Sequence, residues 1–298
     1  MTVQIFRSTD PAAPVLNGTA GSLIAVLDHC LRDGLGWTKT DFGGNQVAYT
    51  QPGGNARILQ VDDSIGTTAN VKGWETLTAF NTGTNSWYPT GGASGTQVQK
   101  APYGGAPIPW TLISNIQLFH MSTLYYPAAN YADFWSFGDI VSYYSGTDNF
   151  ATILGGSNST DGEPGWLYGP SAWTVVSNRM SVDRAYDQTT LNPAVGVVSQ
   201  NALQPANLPG GSTSTPIPNV DGRLFMSPYW LVDFPGTTTG GKRGLIPGIW
   251  APGGQGQWNV GDRFTSGSGP LSGRTFEIIN AGAGSFAAIE TSDTWGGF

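Results

Sequence analysis

Ser22-Leu-Ile-Ala-Val-Leu-Asp-His-Cys-Leu-Arg-Asp33 is the stretch on which the fold turns. Leu23, Leu27, Cys30 and Leu31 recur at helical spacing, and Ile24 and Val26 widen the apolar face. Asp28, His29, Arg32 and Asp33 line the opposite side. Thr19 or Ser22 offers an N-cap hydroxyl, and Gly34 offers a left-handed stop. Upstream, residues 1–18 hold Pro11 and Pro14, which exclude a regular helix, so they read as an extended arm. Downstream of Gly36 the helical period disappears and short β-like runs begin, punctuated by Gly, Pro, Asn and Thr. One helix followed by many short strands predicts an α+β, mostly β fold, with one N-terminal helix packed on mainly antiparallel sheets with long loops.

The strand language is most legible where turns are strongest. Gln46–Gln51 and Ala56–Val61 read as a hairpin around Pro52-Gly-Gly-Asn55, and Val71–Leu77 as a further strand. Residues 80–107 are mostly turn chemistry around Trp87 and Tyr88. Trp110–Ile113 and Gln117–Tyr125 form a second pair, followed by the apolar run Phe134–Tyr144 and by Asp148–Leu154. Strands resume at Arg223–Phe225, Tyr229–Val232, Gly248–Ala251, Arg274–Asn280 and Ser285–Thr291, short and evenly spaced as in sandwiches and barrels. The expected organisation is an arm, helix and β scaffold over residues 1–154, a loop-rich connection over 155–222, and a C-terminal β region over 223–298 that forms one compact unit with 1–154. Within the connection, 203–220 holds Pro205, Pro209, Pro216 and Pro218. A stretch so poor in regular structure suits a lid, an arm or a contact surface.

Composition narrows the function. Charged residues are only 11% of the 298, the net charge is −7, and just four lysines occur, Lys39, Lys72, Lys100 and Lys242. No segment clusters three basic residues, so the phosphate-neutralising patch that nucleic-acid binding needs is not expected. No apolar run approaches the ~20 residues of a membrane helix. With Cys30 as the single cysteine, an intrachain disulfide is impossible. The opening Met1-Thr-Val-Gln-Ile-Phe-Arg7 lacks a charged region followed by an apolar one, so no secretory leader is expected.

Chemistry-shaped signals are few. Gly236-Thr-Thr-Thr-Gly-Gly-Lys242 begins like a phosphate-binding loop. Arg243 stands where Ser or Thr should hold a metal, and Gly244, Pro247 and Gly248 follow where a helix should open. A flexible loop tipped with basic residues is the simpler reading. His29 and His120 are the only imidazoles, and no G-x-S-x-G elbow accompanies them. His29 and Cys30 diverge by about 100° on the helix, so they form no thiolate–imidazolium pair, and Cys30 reads as a core residue. Asp62-Asp63, Asp133/Asp139 and Asp161/Glu163 are the candidate carboxylate pairs for glycan hydrolysis. Asp62 and Asp63 point to opposite faces if they lie on a strand. Asp161-Gly-Glu163 lacks the spaced oxygens of a calcium loop. Exposed aromatics could build a stacking or contact surface from Tyr125-Tyr126, Trp135, Tyr143-Tyr144 and Trp166/Tyr168, although core packing explains many of them. No catalytic, cofactor-binding or metal-binding residue is assigned.

Arg7-Ser-Thr-Asp-Pro-Ala-Ala-Pro-Val-Leu-Asn-Gly-Thr-Ala-Gly-Ser-Leu-Ile-Ala-Val-Leu-Asp-His-Cys-Leu-Arg-Asp-Gly34, continuing to Gly36-Trp-Thr-Lys39, resembles the opening of a family of tailed-bacteriophage virion structural proteins. Val61-Asp-Asp63, Gly73-Trp-Glu75, Phe137-Gly-Asp139, Arg243-Gly-Leu-Ile-Pro-Gly-Ile-Trp250 and Glu290-Thr-Ser-Asp-Thr-Trp295 resemble later landmarks of that family. Residues 157–222 match no part of it. The resemblance implies a non-enzymatic particle component without transferable catalytic residues. It would be assembled in the host bacterial cytoplasm, carried in the virion as capsid decoration or as a tail or baseplate part, and partnered by other virion proteins and by copies of itself. Residues 1–18 and 203–220 are the expected inter-subunit contacts, and removal of 1–18 is expected to leave a folded monomer that no longer enters particles. A carbohydrate- or receptor-binding tail module is the alternative, and a carboxylate-pair glycan hydrolase the less favoured one.

Overall fold

The computed structural model describes residues 2–88, 96–101, 105–126, 131–144, 148–155, 180–189, 191, 195–199, 226–233, 241–252, 259–267, 269–280, 287–292 and 295. Strand β1 (Gln4–Arg7) precedes helix α1, whose α-helical turns Ser22–Leu27 widen into a π-helical segment Asp28–Gly34. Then follow β2 (Thr38–Gly43), β3 (Gln46–Thr50), β4 (Ile58–Asp62), β5 (Thr68–Ala79), β6 (Thr82–Trp87) and β7 (Thr96–Gln99). The next run is β8 (Trp110–Ser114), β9 (Leu118–Tyr126), β10 (Tyr131–Val141), β11 (Phe150–Gly155) and β12 (Met180–Val182). Last come β13 (Val195–Ser199), β14 (Met226–Asp233), β15 (Gly241–Pro252), β16 (Arg263–Thr265), β17 (Thr275–Asn280) and β18 (Ala287–Glu290). Every described pairing is antiparallel. The α+β, mostly β expectation therefore holds.

Three sheets stack. The first has order β2-β3-β4-β5-β6 with β7 also on β5, the middle one β1-β8-β9-β10-β11-β12, and the third β13-β14-β15-β18-β17-β16. Strand alternation gives the middle sheet two apolar faces. Leu112, Phe119, Met121, Trp135, Phe137 and Leu154 join Val47, Tyr49, Leu59, Val61, Val71 and Trp87 of the first sheet, together with Leu23, Leu27 and Leu31 of the helix. Their neighbours Ile113, Leu118, Phe134, Ile140 and Ile153 turn the other way, onto Leu231, Ile246, Ile249, Ile279 and Ile289 of the third sheet. Residues of 1–154 and of the C-terminal region thus share one apolar cluster. Phe119 meets Trp135 edge to face at 4.9 Å, and Trp37 leans on Phe119 and Phe137 at 6.0 Å. Such aromatic packing supplies about 1.5–3 kcal/mol per fully buried ring.

Helix α1 forms where its periodicity predicts, but its ends differ. No side chain of Thr19 or Ser22 caps it. The carboxylate of Asp63 takes the Leu23 and Ile24 N–H groups at 2.8 and 3.2 Å, while Ser22 Oγ donates to the Asn17 carbonyl. The left-handed stop is Gly36 (φ 74°), not Gly34. The π-helical widening carries the end two residues further, so Trp37 N–H reaches the Leu31 carbonyl. Gly34 serves another purpose. A Cβ there would lie 2.5 Å from the Phe6 ring of β1.

Residues 2–18 are not free. Gln4–Arg7 pair with Thr111–Ser114 as the edge of the middle sheet, Leu16 is fully buried, and Trp110 Nε1 donates to the Pro14 carbonyl. Part of the expected arm, Gln4–Arg7, is therefore a strand of the sheet rather than a free extension. Likewise, the turn-rich stretch 80–107 contains β6 and β7. Thr82-Gly-Thr-Asn-Ser-Trp87 is too polar to show a strand pattern, yet β5 supplies its hydrogen-bond partners. Met180–Val182 and Val195–Ser199 are strands inside the 155–222 segment. The proline-rich 203–220 lies outside the described residues. Among the described residues, no helix is long and apolar enough to cross a membrane.

Candidate functional site

The densest polar chemistry runs across all three layers. Arg243 enters the third sheet on β15 with its guanidinium fully buried. It grips Asp148, just before β11 of the middle sheet, through Nε and Nη2, both at 2.9 Å. Asp148 also accepts from Ser142 Oγ and from Gln188 Nε2, and Arg243 Nη1 donates to the Arg184 carbonyl. From there the network crosses to the first sheet. Arg184 pairs with Glu75 on β5 (Nη2 to Oε2, 2.8 Å). Arg57, at the β3–β4 turn, bonds both Glu75 (3.0 Å) and Asp183 (2.8 Å). The Arg184 side chain holds the Glu75 carboxyl below its usual range. Asp183 is pushed up by burial, against the pull of Arg57. Bidentate, hydrogen-bonded ion pairs are the form in which buried charge is tolerated, so this network rivets the sheets together.

Beside it lies an apolar surface. Val141, Tyr143 and Leu191 are 59%, 57% and 50% exposed, and Tyr144 and Tyr186 stack with ring centroids 4.8 Å apart. The rivet fixes its backbone. Tyr143 N–H donates to the Arg243 carbonyl at 2.6 Å, Ser142 bridges to Gly244, and Arg184 bridges to Leu191. Exposed aromatics whose backbone is already hydrogen-bonded lose less entropy when covered, which is the physical profile of a contact surface.

The residues singled out in the sequence separate. Asp62 and Asp63 do diverge: Asp62 accepts from Ser64, whereas Asp63 is buried and ion-paired with Lys100. Asp133 and Asp139 share β10 but stand six residues apart, about 20 Å along a strand. Asp133 holds the Gln99 N–H, and Asp139 holds the Asn55 N–H at 2.7 Å and the Thr152 hydroxyl. Burial pushes Asp139 up to about 6. Neither pair faces a common substrate position. Asp161 and Glu163 lie outside the described residues.

His120 is fully buried between the middle and third sheets. Its Nε2 is 2.9 Å from the Pro247 carbonyl and its Nδ1 2.6 Å from Ser136 Oγ. A carbonyl can only accept, so Nε2 carries a proton. Burial pushes its pKa down to about 4. His29 meets the Phe6 ring edge-on at 6.0 Å, and burial raises the Cys30 thiol far above its usual range.

The loop 236–240 lies outside the described residues. Gly241, Lys242 and Arg243 open strand β15 rather than a helix, which removes the cradle a phosphate loop requires. Arg243 is interior, not the tip of a basic loop. Trp135 is buried in the core rather than on a platform. The side chains of Tyr125 and Tyr126, and all of Trp166 and Tyr168, lie outside the described residues. Tyr143 and Tyr144 are the anticipated aromatics that reach the surface, and Tyr186 and Leu191 join them from a part of the chain that gave no signal.

A cleft of about 110 Å³ between the middle and third sheets is lined by Trp110, Ser122, Glu277 and Ile279. Its carboxylate is held by Arg7 and Arg263. Among the described residues, no three His, Cys, Asp or Glu side chains converge as a metal would need. No protein-family model matches the chain, and no curated protein is significantly similar to it.

Proposed function

We propose that this chain is a non-enzymatic structural protein of a tailed-bacteriophage particle, acting through subunit contacts as capsid decoration or as a tail or baseplate component. The observation that carries the reading is the set of exposed apolar side chains Val141, Tyr143, Tyr144, Tyr186 and Leu191 beside a buried ion pair. Among the described residues, the five buried aspartates Asp63, Asp133, Asp139, Asp148 and Asp183 are each engaged in bonds that hold elements together, which suits a part built for rigidity. The virion context rests on the resemblance of Arg7–Lys39. The contact role expected of residues 1–18 moves to this tyrosine surface, because the arm is part of the middle sheet.

Immunogold microscopy and mass spectrometry of purified particles test the reading. Gold over the head marks a decoration role, and gold at the tail end a tail or baseplate role. Absence of the chain from particles defeats the proposal. A Tyr143→Ser, Tyr186→Ser double variant should fold, with an unchanged far-UV spectrum, and enter particles at least tenfold less. The exposed tyrosine faces also favour a second reading, glycan recognition by a tail module. That reading requires a saturable, glycan-dependent change in aromatic fluorescence that the double variant loses.

A further inference from the structure

We propose that Lys100 and Asp63 are joined by an intramolecular amide bond, a covalent crosslink formed by loss of water between the two side chains. Both side chains are fully buried, and Nζ contacts Oδ1 directly. Their backbones cannot drift apart. Asp63 N–H donates to the Asn45 carbonyl, the Asp63 carbonyl accepts from Gly21, and Lys100 N–H donates to Thr67. An ion pair so deeply placed costs several kcal/mol of desolvation per charge, and amide formation removes both charges at once.

The surrounding groups fit each stage of the condensation. Proton transfer across the Nζ–Oδ1 contact turns the ion pair into a neutral amine and a carboxylic acid. Burial favours this by raising the Asp63 pKa. The Nζ lone pair then adds to Cγ. Negative charge develops on Oδ2, which already accepts the Leu23 and Ile24 N–H groups at 2.8 and 3.2 Å, the donor arrangement that stabilises a tetrahedral oxyanion. The Cγ–Oδ1 bond breaks, and Oδ1 leaves as water with two hydrogens taken from the original ammonium. The product keeps one N–H, and Nζ is 2.9 Å from the Thr19 carbonyl that would accept it. Its carbonyl oxygen keeps both helix amides. No oxidant or further reactant is required, and every polar atom of the product has its partner in place. The link would clamp the ends of β4 and β7 and the start of α1 in a chain whose one cysteine allows no intrachain disulfide.

Intact mass spectrometry of the purified full chain decides the matter. The expected mass is one water, about 18 Da, below the sequence value. Trypsin, blocked at an acylated Lys100, should leave residues 58–72 joined to 73–179. A Lys100→Met chain should show the full sequence mass, and an Asp63→Asn chain should lose ammonia instead, about 17 Da. A wild-type mass equal to the sequence value overturns the proposal. So does a water loss that leaves 58–72 as a free peptide, since the dehydration then lies elsewhere. The wild-type measurement needs no variant to fold.

Discussion

Asp139 and His120 lie on neighbouring strands of the middle sheet, and burial moves their protonation in opposite directions. Asp139 is raised from 3.8 to about 6, so the folded state holds its proton more tightly than the unfolded chain does. Its contribution to stability is complete below pH 4 and is lost as pH rises through 6, about 3 kcal/mol in all. His120 is lowered from 6.5 to about 4. Its contribution is complete above pH 6.5 and is lost as pH falls through 4, by a similar amount. The two slopes oppose each other in the wild type. Asp139→Asn should therefore make stability climb more steeply between pH 4 and 6.5 than in the wild type, and His120→Gln should flatten or reverse the climb. Urea midpoints at pH 4.5 and 6.5 check both, and parallel pH profiles for all three proteins would contradict the assignment. Neither behaviour was legible in the sequence. The groups that bury His120 and bond both its nitrogens come from other strands, Ser136 on β10 and Pro247 over a hundred residues away.

At the scale of the element, β1 decides whether the N-terminus is a docking arm or part of the core. Phe6 sits against Gly34, Ile5 packs toward the third sheet, and Arg7 pairs with buried Glu277. Deleting residues 1–8 removes these apolar contacts and leaves Glu277 with the exposed Arg263 alone. The loss should be at least ~3 kcal/mol, with faster hydrogen exchange along β8. An unchanged urea midpoint would return the segment to the status of a free arm. The helix was readable because its periodicity is local, and the β3–β4 hairpin because Pro52-Gly-Gly-Asn55 punctuates it. Strands β1, β2, β6 and β7 were not: β2 and β6 are runs of Thr, Gly, Asp and Asn with little alternation, and β1 and β7 are only four residues long, too short to show a period. Their state is set by a neighbour's unpaired backbone groups, which propensity does not describe.

The middle sheet buries both of its faces, one on the first sheet and one on the third, so the largest apolar cluster of each outer sheet is shared with it. Unfolding should then be a single transition. Tryptophan fluorescence and far-UV circular dichroism should give coincident urea curves, and the calorimetric and van't Hoff enthalpies should agree. Two separated transitions would show that the sheets fold independently. The sequence by itself determined the class of fold, the position of the N-terminal helix and the β3–β4 hairpin. It also excluded a disulfide and argued against the phosphate loop. These depend on composition and on residues within one turn or one strand of each other. Only the tertiary structure decided that Arg243 pairs with Asp148, that Asp63 rather than Thr19 or Ser22 caps the helix and meets Lys100, and that Tyr186 and Leu191 complete a surface with Tyr143. Those pairings are tens of residues apart. They follow from strand register and sheet stacking, where desolvation forces each buried charge to find its partner whatever the distance along the chain.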